Sequence, residues 1–372
     1  MKRGFINTNS KVAAFSIIPI SLLIGHPSMG ETLNLPELLT SVAGTETTSA
    51  SDWQNRRRQE VLDLFRTYIY GRAPVGKPTN LHFETVRTSD TAMSDKATLK
   101  ILRIQYSGPS GQGAIDLTVY IPNDVPKPVP GFLYMSMAQK DIDSTQAIQS
   151  SLWPSENIIK RGYMTAAFHC SDLDPDFYDN FKNGVHGIYD PNDRPRPADA
   201  WGTIAAWGWG ASRAMDYFES DKDIDEHKIG ILGHSRCGKA ALWCGAEDQR
   251  FALVVSNNSG CTGAAITRRK KGETVKIIND HFPHWFCDNY KRFNDREDQL
   301  PVDQHMLIAL VAPRLVYVAS ASEDDWADPA GEFLSCVYAE PVYKLFGLTA
   351  LGTSQMPLPN TPIHNGHIAY HL

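Results

Sequence analysis

In the segment Lys228-Ile-Gly-Ile-Leu-Gly-His-Ser-Arg-Cys-Gly-Lys239, a serine follows a short apolar run and precedes a run that reads as a helix. A strand, a tight turn and a helix in that order place the Ser235 hydroxyl at the carboxyl edge of a parallel sheet, where it can attack an acyl carbon. Gly233 and Gly238 suit a turn in which neighbouring backbone comes too close for a Cβ. The amides that open the following helix can stabilise the oxyanion formed in that attack. The second glycine stands three places after Ser235 instead of the two of the standard elbow. The pattern alone therefore leaves a second reading open, Ser235 as the N-cap of the helix running through Lys239-Ala-Ala-Leu-Trp243.

A serine nucleophile needs a base, and the base needs a carboxylate that orients it and stabilises its charged form. Arg314-Leu-Val-Tyr-Val-Ala319 reads as a later strand and runs into Ser320-Ala-Ser-Glu-Asp-Asp-Trp326, which sets three carboxylates at a strand exit. Asp324 is the expected acid, with Glu323 and Asp325 as alternates. The competing reading is a solvated acidic turn.

The elements that must position these groups follow from hydrophobic periodicity. Trp53 to Tyr70 is a charged amphipathic helix, and Leu99 to Tyr106 with Ala114 to Ile121 alternate as an antiparallel hairpin. From about Pro130 the pattern changes. Apolar runs at Gly131–Met135, Met164–Phe168, Lys228–Leu232, Ala252–Val255 and Leu315–Ala319 alternate with helical stretches at Trp201–Phe218, Lys239–Ala246 and Pro329–Phe346. Continuous apolar strands between helices predict a mainly parallel sheet covered on both faces. The expected fold is an α/β-hydrolase, a three-layer αβα sandwich with the N-terminal hairpin at an antiparallel edge.

Length and charge bound the remaining possibilities. A chain of 372 residues can bury one large core, and a formal net charge of −6 argues against a dominant nucleic-acid surface. The short cluster Arg268-Arg-Lys-Lys271 reads as a solvated loop. Lys2, Arg3 and Lys11 precede an apolar stretch, Val12 to Ile24, that is too short and too interrupted to span a bilayer. Residues 1–30 therefore read as a secretory signal peptide, and residues 31–372 as a single domain that is secreted or periplasmic. The six cysteines, Cys170, Cys237, Cys244, Cys261, Cys287 and Cys336, are too sparse for a disulfide scaffold. They are expected as mostly buried thiols with one or two bridges. With no phosphate loop, zinc motif or dinucleotide fingerprint, no cofactor and no metal are expected.

Four segments carry a family resemblance: Trp201-Gly-Thr-Ile-Ala-Ala-Trp-Gly-Trp-Gly-Ala-Ser-Arg-Ala-Met-Asp-Tyr217, Gly233-His-Ser-Arg-Cys-Gly-Lys239, Phe282-Pro-His-Trp-Phe286 and Trp326-Ala-Asp-Pro-Ala-Gly-Glu-Phe333. With them the chain resembles bacterial glucuronoyl esterases of carbohydrate esterase family 15 over most of its length. The resemblance implies cleavage of the ester between the 4-O-methyl-glucuronic acid of xylan and lignin alcohols, by acyl transfer without metal. The partner so implied is a plant or algal cell-wall polysaccharide ester, met by a monomer with no membrane attachment after leader cleavage. Ser235 matches the nucleophile, and Arg236 an arginine that helps to stabilise the oxyanion. Lys239, Glu273 and Trp326 match sugar-binding groups. Trp285 reads as core. A related esterase acting on acetylated xylan or another small ester, and a carbohydrate-binding relative without turnover, are the alternatives.

Two departures from the family pattern bear on the triad. Many members carry an acidic residue where this chain has Asn258, and an amide cannot offset an imidazolium charge. That is why Asp324 is the expected acid. The family's catalytic histidine comes a few residues after the last core strand, and Gly366-His-Ile-Ala-Tyr-His-Leu372 reads as that strand. His371 matches a strand histidine ahead of the catalytic one, with His364 and His367 further upstream. The expectation is a chain truncated before its general base.

Overall fold

The chain is described by a computed structural model for residues 33–138, 150–191 and 193–372. The expected signal peptide lies outside the described residues. Among them, nine strands form one sheet in the order β1-β2-β3-β5-β4-β6-β7-β8-β9. The strands are β1 (His82–Thr91), β2 (Ala97–Gly108), β3 (Gly111–Pro122), β4 (Val129–Ser136), β5 (Met164–His169), β6 (Ile224–His234), β7 (Leu253–Asn257), β8 (Leu315–Ala319) and β9 (Ile368–His371).

Strands β1, β2, β3 and β5 pair antiparallel. From β5 through β4, β6, β7 and β8 to β9 every pairing is parallel. The expected parallel sheet with an antiparallel edge is the fold observed. β1 is an addition. Its residues are nearly all exposed and polar, so it carries none of the alternation by which a half-buried strand is recognised.

The helices that serve the site are α1 (Arg58–Phe65), α2 (Thr203–Phe218), α3 (Arg236–Glu247) and α4 (Pro329–Tyr338). α1 is the middle of the expected Trp53–Tyr70 helix, which is interrupted by π-helical turns at Trp53–Arg57 and Arg66–Tyr70. Fifteen of the sixteen residues of α2 are buried, including Trp207 and Trp209. A helix apolar on all sides belongs inside a core, and α2 packs against α3, which follows Ser235. The expected helix Pro329–Phe346 is two, α4 and Glu340–Leu345, with Pro341 in the first turn of the second. A proline that lacks an N–H and clashes with the preceding turn ends the first helix and opens the next.

Two expectations are corrected. All six cysteines are buried and none is bridged, so the expected one or two disulfides are absent from the fold. Burial as small apolar groups accounts for them. The Arg268–Lys271 cluster is no solvated loop. Arg268 is paired with Asp303 and donates to the carbonyls of Val302 and Leu300, Arg269 pairs with Asp328, and Lys270 with Glu297. The cluster ties that loop to its neighbours. Among the described residues no helix is long and apolar enough to cross a membrane.

Candidate active site

Ser235 follows the last residue of β6 and precedes the first of α3 with φ 55° and ψ −123°. A non-glycine residue at positive φ is strained and persists only where the surroundings enforce it. Here the Ser235 N–H donates to Asn257 O at 2.8 Å, and the Ser235 carbonyl accepts from Gly238 N at 2.9 Å and Lys239 N at 3.1 Å. The N-cap reading fails, because the Ser235 side chain makes no capping bond. Its hydroxyl is left for other chemistry. The turn closes because a Cβ on Gly233 would fall 2.2 Å from Cys237 O, so only glycine lets the backbone pass. The irregular spacing has the same origin, since Cys237 is buried and Gly238 is the residue that packs beside Ser259.

The amides of Arg236 and Cys237, the first two of α3, come before the turn closed by Gly238 N and Lys239 N on Ser235 O, where a helix has no intrahelical acceptor to offer. Arg236 is held beside them from two sides. Its Nη1 pairs with Asp176 Oδ2, and its guanidinium lies 4.9 Å from the Trp285 ring centroid and 5.3 Å from that of Phe282. Those two rings stack at 3.9 Å. Trp285 is buried, as expected, and it also frames Arg236. Asp176 Oδ1 accepts in turn from His284 Nε2 at 3.0 Å and Trp285 Nε1 at 2.7 Å. Burial pushes the Asp176 carboxyl up, but the bonds from His284 and Trp285 and the Arg236 charge outweigh it and hold the group below the ordinary aspartate value.

Asp324 sits on the loop after β8 and its Oδ2 accepts from Asn258 Nδ2 at 2.7 Å. Asn258 stands just beyond β7 at φ 47°, with its N–H on Ala319 O at 2.8 Å. Glu323 and Asp325 are exposed, which leaves Asp324 as the carboxylate of the three with a polar side-chain partner. His234, the residue before Ser235, is pushed below the ordinary histidine value by desolvation, while the charge of Asp324 pulls it back up. Asp324 therefore lies within electrostatic reach of the residue before Ser235. β9 runs parallel to β8, with His371 opposite Ala319, and delivers its end to this same edge. Among the described residues no side chain accepts from the Ser235 hydroxyl, and the side chains of His364, His367 and His371 do not reach it.

Lys239 and Glu273 are both buried and form a pair, Nζ to Oε2, at 2.6 Å. Lys239 Nζ also donates to Ser259 O at 2.7 Å and Cys261 O at 2.6 Å, which occupies all three of its protons. Trp326 is the opposite case, with 54% of its surface exposed. Glu273 and Trp326 are brought together by backbone, since Glu273 N donates to Trp326 O at 3.0 Å. The contact depends on Gly272. Its φ is +59°, and a Cβ there would lie 2.3 Å from Trp326 O.

Two residues of this network escape sequence reasoning. Asp176 is 60 positions from Arg236, in an acidic stretch with no spacing that points to a partner. Glu332, in the first turn of α4, carries only the ordinary signal of an acid at a helix start.

The comparisons with known proteins agree with this geometry. The family described as glucuronyl esterase, fungi, matches residues 118–347. Carbohydrate esterase MZ0003, from an unknown prokaryotic organism, is 44% identical over 91% of this chain and 84% of its own length. A 4-O-methyl-glucuronoyl methylesterase of Podospora anserina is 28% identical over 84% of this chain and 60% of its own length. Among solved structures, a glucuronoyl esterase from Solibacter usitatus superposes with a TM-score of 0.85, is 39% identical, and covers 92% of this chain and 93% of its own. The α/β-hydrolase fold, the matched family and these relatives together establish that the chain belongs to the glucuronoyl esterases, a family of carboxylic ester hydrolases.

Proposed function

We propose that this chain hydrolyses the ester between a 4-O-methyl-glucuronic acid side group of a cell-wall polysaccharide and an alcohol, with Ser235 as nucleophile. The observation that carries the reading is the enforced backbone of Ser235, φ 55° at a strand-to-helix turn, beside Arg236. Strain held in place by three backbone hydrogen bonds has a use when it presents a hydroxyl to substrate.

In this reading the Ser235 oxygen attacks the ester carbonyl carbon and its proton passes to an imidazole, which Asp324 orients and whose positive charge it stabilises. The first amides of α3 and the Arg236 guanidinium stabilise the oxyanion. Collapse of the tetrahedral intermediate breaks the bond to the alcohol oxygen, which leaves with the proton from the imidazole. Water then attacks the acyl-enzyme, gives its proton to the imidazole, and releases the uronic acid and the Ser235 hydroxyl. Among the described residues no imidazole reaches Ser235, so this step needs a base that they do not supply; the resemblance places such a histidine a few residues after the last core strand.

Glu273 and Trp326 form the sugar side of the site, a carboxylate for ring hydroxyls and an exposed indole for the ring face. Lys239 acts chiefly through Glu273, because a hydroxyl can reach its ammonium only by displacing a present acceptor. Export follows from the substrate, and the Val12–Ile24 stretch behind Lys2 and Arg3 supports a cleaved leader.

The reading is tested by the rate of hydrolysis of benzyl glucuronate against an aryl acetate. Preference for the glucuronate by at least about tenfold is expected, because polar groups built for sugar hydroxyls are left unpaired by an acetate. Preference for the acetate would point to a general small-ester esterase.

A further inference from the structure

One fully buried carboxylate joins the exits of two neighbouring strands. Glu332 Oε1 accepts from Ser259 N at 2.8 Å, Gly260 N at 2.9 Å and the Ser259 hydroxyl at 3.2 Å, and its Oε2 accepts from the Ser320 hydroxyl at 2.5 Å. Ser259 follows Asn258 beyond β7. Ser320 is the first residue beyond β8 and opens the loop that carries Asp324. The Ser320 N–H donates to His371 O at 2.8 Å, at the end of β9. Every side-chain hydrogen bond of Glu332 thus falls on a segment that bears, or leads to, a group of the proposed triad side.

We propose that Glu332 is a positioning residue for acyl transfer, whose ionised carboxylate holds the Asn258 loop and the Asp324 loop in the register that forms the Asn258–Asp324 hydrogen bond. The inference rests on Asp324 as the acid of the site. The donor set suits the ionised form, with three donors on Oε1 and the Ser320 hydroxyl on Oε2. The Ser259 hydroxyl already accepts from Ser256 Oγ at 2.7 Å and Ala264 N at 2.8 Å, so its own proton is directed to Glu332. Four donors then converge on two oxygens, and a carboxylate has four lone-pair sites with no proton of its own. A proton on Oε2 would share that oxygen with the Ser320 hydroxyl and remove the charge that strengthens all four bonds, which loosens one loop from the other.

Burial pushes the Glu332 carboxyl up to about 7 against the pull of its hydrogen bonds, which places the change within the working pH range of an esterase. The groups that face it are Cys336 on α4 and Tyr370 from β9, with Asp328 at the residue before α4. From the loop after β7, the Lys239–Glu273 pair reaches it through Ser259 O. Cys336 and Tyr370 are both raised by burial, with the Glu332 charge adding to the shift, and stay neutral. Asp328 is paired with Arg269 at 2.7 Å.

The test compares wild type with Glu332→Gln and Glu332→Ala. It measures kcat and KM for benzyl glucuronate from pH 5 to pH 9, and amide hydrogen exchange across Val254–Thr262 and Ser320–Asp328. Glu332→Gln keeps the shape and one acceptor oxygen but cannot ionise. Wild-type kcat is expected to fall below about pH 7 with two ionisations, and the Gln variant with one, at about tenfold lower kcat and unchanged KM. In Glu332→Ala both loops should exchange at least about tenfold faster while β6 and α3 keep wild-type protection. A Gln variant with wild-type kcat and the same acid limb would overturn the proposal, as would wild-type exchange of both loops in the Ala variant. Full hydrolysis by Asp324→Ala would instead sink the acid assignment on which the proposal rests, and the exchange result reads the clamp apart from it.

Discussion

Asn258 and Asp324, on the exits of adjacent strands, meet through a 2.7 Å hydrogen bond from the Asn258 amide to Asp324 Oδ2. From sequence, Asn258 is only the place where a family carboxylate is missing. In the fold it holds Asp324, the proposed acid. Only a weak bond from Ala327 N at 3.3 Å engages Asp324 Oδ1, which leaves that oxygen able to orient an imidazole. Asp324→Asn should lower kcat for benzyl glucuronate by roughly 10³–10⁴, the loss that follows when a triad carboxylate becomes an amide. Asn258→Ala should cost only about tenfold, one hydrogen bond to a charged group. Equal losses from the two variants would show that the amide does more than hold the acid.

Lys239 and Glu273 are buried against each other, so removing one strands the other. Lys239→Ala is expected to destabilise the fold by about 3–5 kcal/mol, the cost of leaving a buried carboxylate unpaired. Urea unfolding measures it. The double variant Lys239→Met with Glu273→Leu should recover much of that stability while losing sugar recognition. A single variant as stable as wild type would contradict the pairing.

Trp326 behaves differently because it is half in solvent. Trp326→Ala should leave stability within about 0.5 kcal/mol, as for other surface changes. KM for benzyl glucuronate should rise by about tenfold with kcat little changed, the pattern of a group that binds ground state and transition state alike. A drop in the midpoint of unfolding would mean that the indole packs into the fold.

Asp176 holds Arg236, and its lowered value fixes the direction of its pH dependence. Between the folded and the ordinary aspartate values the unfolded chain binds the extra proton, so stability rises with pH there. The contribution is therefore full above about pH 4 and is lost as the pH falls through the lower folded value. Asp176→Asn should remove that acid-side dependence from unfolding curves. It should also lower kcat by about 10- to 100-fold through a misplaced guanidinium. A variant with wild-type kcat would show that Trp285 and Phe282 suffice to place Arg236.

The parallel half of the sheet was legible because its strands are buried on both faces and read as uninterrupted apolar runs. β1 was not, because its side chains face water on both sides. In the proposed site, Ser235 is legible from strand, turn and helix order, and Asp324 from a strand that ends in carboxylates. Arg236–Asp176 and Glu332–Ser259 could not, since 60 and 73 residues separate the partners and no local period connects them. The pairing of Lys239 with Glu273 was hidden for the same reason, although both residues had been singled out. Buried polar networks are specified by the whole fold, and a sequence shows their members without their partners.

Acyl transfer in this site depends on the Ser235 hydroxyl. The decisive measurement is the hydrolysis of benzyl glucuronate by Ser235→Ala beside the unsubstituted enzyme, with circular dichroism to confirm that both are folded. Loss of all hydrolysis above the uncatalysed rate is expected, because the acyl group then has no point of attachment. An undiminished rate in the folded variant would contradict the assignment of Ser235 as nucleophile and the mechanism built on it.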